Sequence, residues 1–216
     1  MNYNELYFAA HLLDPIKDQP CVRVSADTMR AIHANESERL NELFFGNKDI
    51  VFISRKDIMS IPRKKLEQFT LSCLYWGYPG NNNQRCTYAM NSWAELIGLV
   101  RSIRYHRNMP SDYYASLEQT MTGIQNLNIS TYSKLFYFSR ASVNGYECVI
   151  LDNQVMTGIG NLNGDEFDNL KQSIIGYNRY RVYPRYLEEM SELARQFHVP
   201  AQNIEYVLWL AGHKGL

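Results

Sequence analysis

The stretch that decides the fold is Ser130-Thr131-Tyr132-Ser133-Lys134-Leu135-Phe136-Tyr137-Phe138, followed beyond Asn144-Gly145 by Cys148-Val149-Ile150-Leu151-Asp152. Ser130 or Thr131 suits a helix start, because a hydroxyl there accepts from the first free backbone N–H groups. Leu135, Phe136, Phe138 and Ala141 recur at spacings that give the helix one apolar side. Lys134 then falls in its first or second turn. Asn144-Gly145 turns the chain, and the apolar run 148–151 delivers Asp152 at its end. From these residues alone three arrangements are open. Lys134 and Asp152 meet across one cleft, form a buried ion pair, or are two unrelated surface charges.

Working outward, 216 residues with 45% hydrophobic content suit one large domain or two interlocked lobes. Lysine and arginine number 22, as do aspartate and glutamate, so the formal net charge is zero. Global electrostatics therefore predicts no polyanion partner, and any nucleic-acid binding must come from local, salt-sensitive patches. Cys21, Cys73, Cys86 and Cys148 form no Cys-x-x-Cys pair, which argues against a zinc site, an iron–sulfur cluster or a disulfide framework. They read as reduced core thiols of a cytoplasmic protein. Five histidines show no ligand spacing, so no metal site is expected. No signal peptide is visible, and no apolar run approaches the ~20 residues of a membrane span. Phosphate-binding loops, nucleophile elbows and dinucleotide fingerprints are absent.

Along the chain, helices are predicted near 3–13, from Ser25 to Gly46, from Ser54, from Pro62, over 93–106 with a Ser92–Glu95 capping box, and from Ser111. Beyond the central stretch they are predicted near 165–176, 184–197 and from Pro200 to Gly212. Residues 14–24 read as loop with a short extended piece at Cys21–Val24, and Ile50–Ile53 is a short apolar run. Trp76 to Arg85 is the longest turn-rich interval. The sum is an all-α fold.

The Lys134–Asp152 segment resembles the catalytic segment of the helix-hairpin-helix DNA glycosylases, in particular small bacterial proteins with an 8-oxoguanine DNA glycosylase-like fold. Trp76-Gly77-Tyr78-Pro79-Gly80 and Ile204-Glu205-Tyr206-Val207-Leu208-Trp209-Leu210-Ala211-Gly212 add to the resemblance, which covers most of 60–212. It implies a two-lobed helical domain spanning 1–216, with Lys134 as nucleophile and Asp152 as its carboxylate partner. It also implies excision of an oxidised or otherwise modified base from double-stranded DNA, with an attached AP-lyase step through a Schiff base. Some small bacterial members sit in anti-phage gene clusters, so the resemblance allows a defence role with operon partner proteins. The pattern departs at the hairpin. Leu127 to Ser133 contains no glycine, whereas the family's hairpin uses glycines to bring backbone N–H groups against a phosphate.

A lysine amine attacks carbon only when unprotonated, and desolvation at a helix start is a usual route to a Schiff-base lysine. A base-excising enzyme also extrudes its target nucleotide into a pocket of aromatic or apolar groups. Trp76, Tyr78 and Phe138 are the candidates for that pocket, against the alternative of an aromatic loop packed on the core. DNA contacts are expected from Asn82 and Arg85 in the turn-rich interval, from Ser130 and Tyr132 beside the hairpin, and from Arg179, Arg181 and Arg185. The last three are interleaved with Tyr177, Tyr180, Tyr183 and Tyr186, a mixture suited to phosphate contact and base stacking. Arg101, Arg104, His106 and Arg107 form a second basic cluster, balanced between phosphate contact and solvated surface; Arg55, Lys56, Arg63, Lys64 and Lys65 are weaker candidates. The rival reading is a catalytically silent module of the same fold that binds a nucleobase, nucleotide or protein.

Overall fold

The computed structural model describes residues 1–30, 37–78, 89–124, 127–176 and 179–214. Helix α1 (Tyr3–Leu12) opens with Asn2 and Glu5 capping each other's backbone N–H groups. Helix α2 (Pro15–Asp18) occupies part of the segment read as loop, because Asp14-Pro15 is an N-cap followed by a first-turn proline. Strand β1 (Val22–Ser25) pairs antiparallel with β2 (Ile50–Ile53), Val22 opposite Ile53. Between them lie α3 (Ala26–Arg30) and α4 (Ser37–Phe45). The predicted helix from Ser25 to Gly46 is therefore entered at both ends, and its middle lies outside the described residues. Helix α5 (Arg55–Ser60) starts after Ser54 as expected, with a capping box that Ser54 and Asp57 complete.

Helix α6 (Leu66–Gly77) starts later than Pro62, whose carbonyl instead accepts from the Lys65 N–H in a turn. Helix α7 (Trp93–Tyr105) lacks the expected capping box, since the Ser92 side chain makes no cap bond. Strand β3 (Asn108–Met109) leads to α8 (Ser111–Gly123), where Pro110 holds the cap position and the Ser111 hydroxyl donates to Asn144. After α9 (Ile129–Phe138), β4 (Ser142–Val143) pairs parallel with β3 and antiparallel with β5 (Tyr146–Glu147). Helices α10 (Asn153–Gly160), α11 (Asp168–Ser173), α12 (Arg179–Phe197) and α13 (Ala201–Lys214) follow. Helix α12 begins ahead of Pro184 and takes that proline inside. Proline cannot donate to the carbonyl four residues back, and the Tyr114 hydroxyl donates to that Tyr180 carbonyl at 3.0 Å.

Buried apolar side chains form one connected cluster from Leu6 to Leu208, and α9 runs through it, packed on α5, α6, α7 and α12. Every residue from Thr131 to Ser139 is buried, so the helix is enclosed all round rather than on one apolar side. Its cap is Asn128, whose side chain accepts from the Thr131 N–H, not Ser130 or Thr131. Polar groups inside such a helix need partners. Thr131 meets the Tyr78 hydroxyl, and the Ser133 hydroxyl accepts from the Leu151 N–H at 3.1 Å.

The run 148–151 is buried but belongs to no strand. Four of its backbone groups are paired individually. The Cys148 N–H donates to Ala141, Tyr183 and Tyr186 of α12 donate to the carbonyls of Val149 and Ile150 at 2.9 Å each, and Leu151 uses Ser133. Leaving a buried carbonyl of this kind unpaired costs about 1–3 kcal/mol.

Helix α10 crosses α13 at backbone contact. A Cβ on Gly158 would sit 2.0 Å from the Leu208 carbonyl oxygen, and one on Gly212 would sit 1.9 Å from that of Gln154. Gly212 therefore lies within α13 rather than ending it, because the helix can pass α10 only where side chains are missing. Gly158→Ala is expected to lower stability by about 3 kcal/mol or more, beyond the usual overpacking range. Gly98→Ala, in an exposed helix interior with open space around it, should gain about 0.5–1 kcal/mol. Urea unfolding of the two variants checks both signs.

Candidate active site

Lys134 leaves α9 from its second turn, and its stem lies against Gly77 at the end of α6. A Cβ at Gly77 would approach the Lys134 Cδ to 3.1 Å, so the glycine in Trp76-Gly77-Tyr78 makes room for the lysine. Lys134 Nζ donates to Asp152 Oδ2 at 3.2 Å, to the Ser130 carbonyl at 2.8 Å and to Ser130 Oγ at 3.1 Å. The two side chains are 5% and 13% exposed. Lys134 and Asp152 form a buried ion pair and are not two unrelated surface charges.

Asp152 is also the N-cap of α10. Its Oδ1 accepts from the N–H groups of Gln154 and Val155 at 3.1 Å each, which leaves Oδ2 for the lysine. Burial pushes this carboxyl upward, but Lys134 and the two cap N–H groups outweigh burial and hold it below the usual carboxylate range.

Behind the pair lies a second one that the sequence reading missed. Arg55 of α5 donates through both terminal nitrogens to Glu205 of α13 at 2.8 and 3.1 Å, and both side chains are almost completely buried. Burial alone would lower the Arg55 guanidinium, yet Glu205 raises it. Burial pushes Glu205 up while Arg55 pulls it down; with both carboxylate oxygens taken by one guanidinium, the geometry is that of the ionised pair. The Trp76 ring is shared between the pairs, 5.4 Å from the Arg55 guanidinium and 6.0 Å from Lys134 Nζ. Phe138 packs edge-on against Trp76 at 5.2 Å.

The structure thus gathers Lys134, Asp152, Ser130, Trp76 and Phe138, with Tyr78 tied to Thr131 one turn away. Trp76, Tyr78 and Phe138 are all buried, and the Trp76 indole N–H has no hydrogen-bond partner. Tyr132 does not reach a DNA surface. It is fully buried, stacked on Tyr180 with ring centres 4.7 Å apart. Arg181 and Arg185 are exposed on α12, but Tyr183 and Tyr186 between them face inward as backbone clamps, and Tyr180 donates to the carbonyls of Met121 and Leu127. The arginine–tyrosine mixture is therefore a solvated face and a buried face of one helix. Arg179 begins that helix, its side chain outside the described residues, as are Asn82, Arg85 and Tyr177 altogether. Arg55 is no surface contact, and Cys21 is exposed rather than in the core.

No residue from Leu127 to Ser133 adopts a left-handed backbone. The glycine-free segment forms an ordinary asparagine-capped helix start, which explains how it dispenses with glycine. Among the described residues, no helix is long and apolar enough to cross a membrane.

Residues 16–209 match the model of the family described as "Putative 8-oxoguanine DNA glycosylase OGG-like protein", and the chain belongs to that family. The match reaches further towards the N-terminus than the 60–212 resemblance. No curated protein and no solved structure matches the chain significantly.

Because the Asp152 carboxyl is depressed in the folded chain, its contribution to stability is complete above the ordinary value of about 3.9 and is lost as pH falls through the lower folded value. The native chain is therefore expected to lose stability more steeply than Asp152→Asn below about pH 4. Urea midpoints measured between about pH 6 and pH 2.5 check the difference.

Proposed function

We propose that this chain is a DNA glycosylase with an attached lyase step, acting on an oxidised or otherwise modified base in duplex DNA. The observation that carries the reading is the buried Lys134–Asp152 pair, held at 3.2 Å in a member of an OGG-like family. The Lys134 ammonium first gives a proton to Asp152, the nearest base, whose orientation is fixed by the two cap N–H groups. The neutral Nζ then bonds to the sugar C1′ as the C1′–base bond breaks. The base leaves with the electron pair of that bond and takes the proton from Asp152, and the restored carboxylate accepts the second proton from the nitrogen now bonded to carbon. The negative charge restored on Asp152 also stabilises the positive sugar that develops as the base departs.

Opening of the sugar ring gives an imine between Lys134 and C1′. Loss of a C2′ proton then expels the 3′ phosphate, which is the lyase step. Trp76 and Phe138 supply an aromatic wall beside the amine, and the unpaired indole N–H offers a donor to an entering base. No cofactor enters this chemistry.

A catalytically silent binding module is the second reading, favoured by the glycine-free hairpin and the zero net charge. Base release from a panel of oxidised and otherwise modified duplexes separates the two. Lys134→Gln should lose base release and strand cleavage by at least about 10³-fold. Asp152→Asn, which keeps the helix cap, should lose about 10²–10⁴-fold, the size of a proton-transfer contribution. A native chain inactive on every duplex, or a Lys134→Gln chain as active as native, removes the enzyme reading.

A further inference from the structure

Three segments distant in sequence bring four arginines to one place. Arg104, at the end of α7, is 5% exposed, and its guanidinium stacks on Phe69 at 4.0 Å. Its Nη2 donates to the Ile61 carbonyl at 2.8 Å, which fixes it against the turn carrying Arg63. Its Nη1 is buried and has no partner. Arg107 directly precedes β3, and Arg140 lies just before β4. The parallel pairing of Asn108 with Ser142 sets these two approaches side by side, and the Ser142 N–H donates to the Arg107 carbonyl at 2.6 Å. Arg63, Arg107 and Arg140 are exposed.

No carboxylate answers this charge: among the described residues, none of the four arginines is in an ion pair. Burial and then the neighbouring guanidiniums of Arg107 and Arg63 push Arg104 below the ordinary arginine value. Burial, Arg63 and Arg140 do the same to Arg107. Guanidiniums that repel one another around an unpaired buried N–H are relieved by a bound anion, and arginine's planar fork suits phosphate.

The guanidinium forks point to phosphate as the anion. Lys134 Nζ sits at the level of Ser130, and Arg140 follows ten residues later, roughly 15 Å along α9 at about 1.5 Å per residue. That is about four nucleotide steps of a strand. The buried Cys73 thiol feels both Arg104 and Lys134 electrostatically. We propose that Arg63, Arg104, Arg107 and Arg140 bind a backbone phosphate of the DNA strand flanking the nucleotide at Lys134, at the opposite end of α9 from the glycine-free hairpin. The proposal rests on the glycosylase reading for its ligand. A chain of zero net charge needs such a local site to hold duplex DNA at all.

Each phosphate that the protein no longer neutralises lowers the slope of log K against log salt by roughly 0.9. Binding of an abasic-analogue duplex is measured across a salt series for the native chain, Arg107→Gln/Arg140→Gln, and the charge-matched control Arg23→Gln/Arg195→Gln, with base release by the native chain and Lys134→Gln assayed alongside. The Arg107/Arg140 variant should lose up to roughly 0.9 from the slope, the share of one phosphate, with the control unchanged. Both altered arginines are exposed, so unfolding midpoints near native are expected. An unchanged slope in the Arg107/Arg140 variant, or an equal fall in the control, overturns the phosphate site. Native salt-dependent binding that disappears in that variant, without any Lys134-dependent base release, keeps the phosphate site and removes the enzyme. A native chain that binds no duplex removes both.

Discussion

The buried run 148–151 has no sheet or helix to satisfy its backbone groups, and the rest of the structure depends on how four of them are paired. A strand would have turned alternate residues outward; here all four side chains are buried. Two tyrosine hydroxyls from α12, one serine from α9 and the Ala141 carbonyl pair those four. That arrangement ends the run at a defined point, and the residue at that point is Asp152. The same α9 that supplies Ser133 supplies Lys134 one residue later. Amine and carboxylate are therefore positioned by one set of hydrogen bonds, not by two independent loops.

The close crossing of α10 and α13 extends this logic. Asp152 begins α10, Glu205 lies on α13, and Gly158 and Gly212 let the two backbones touch. Glu205 then holds Arg55, and Arg55 shares Trp76 with Lys134. Replacing a buried ion pair by apolar residues is often neutral for stability. Here the second pair has a positional consequence, since it anchors the aromatic wall behind the amine.

Much of this was legible in the sequence. The helix around Lys134, the Asn144-Gly145 turn and the apolar run ending at Asp152 sit where the pattern puts them, and the all-α class follows from the same periodicity. What the pattern hid was sidedness. Tyr180, Tyr183 and Tyr186 alternate with arginines, and a one-dimensional reading assigns both to a surface. Helical geometry separates them, with Tyr183 and Tyr186 inward and Arg181 and Arg185 outward. The same blindness made Tyr132 a DNA contact and Arg55 a surface cation. Glu205 carried a faint signal, a carboxylate beside Ile204 in a run of apolar residues, but its partner lies 150 positions away. Cap assignments slipped by one or two residues at Ser111 and Ser130, because proline and asparagine just upstream took the cap positions.

The central claim is that the amine at Lys134, seated beside Asp152, is the group that bonds to the sugar. The most direct measurement is borohydride reduction of the chain mixed with an abasic duplex, followed by peptide mapping of the protein–DNA adduct. The account predicts one adduct, on the peptide containing Lys134, and none when Lys134 is glutamine. An adduct on another amine, or no adduct with the native chain, would contradict it.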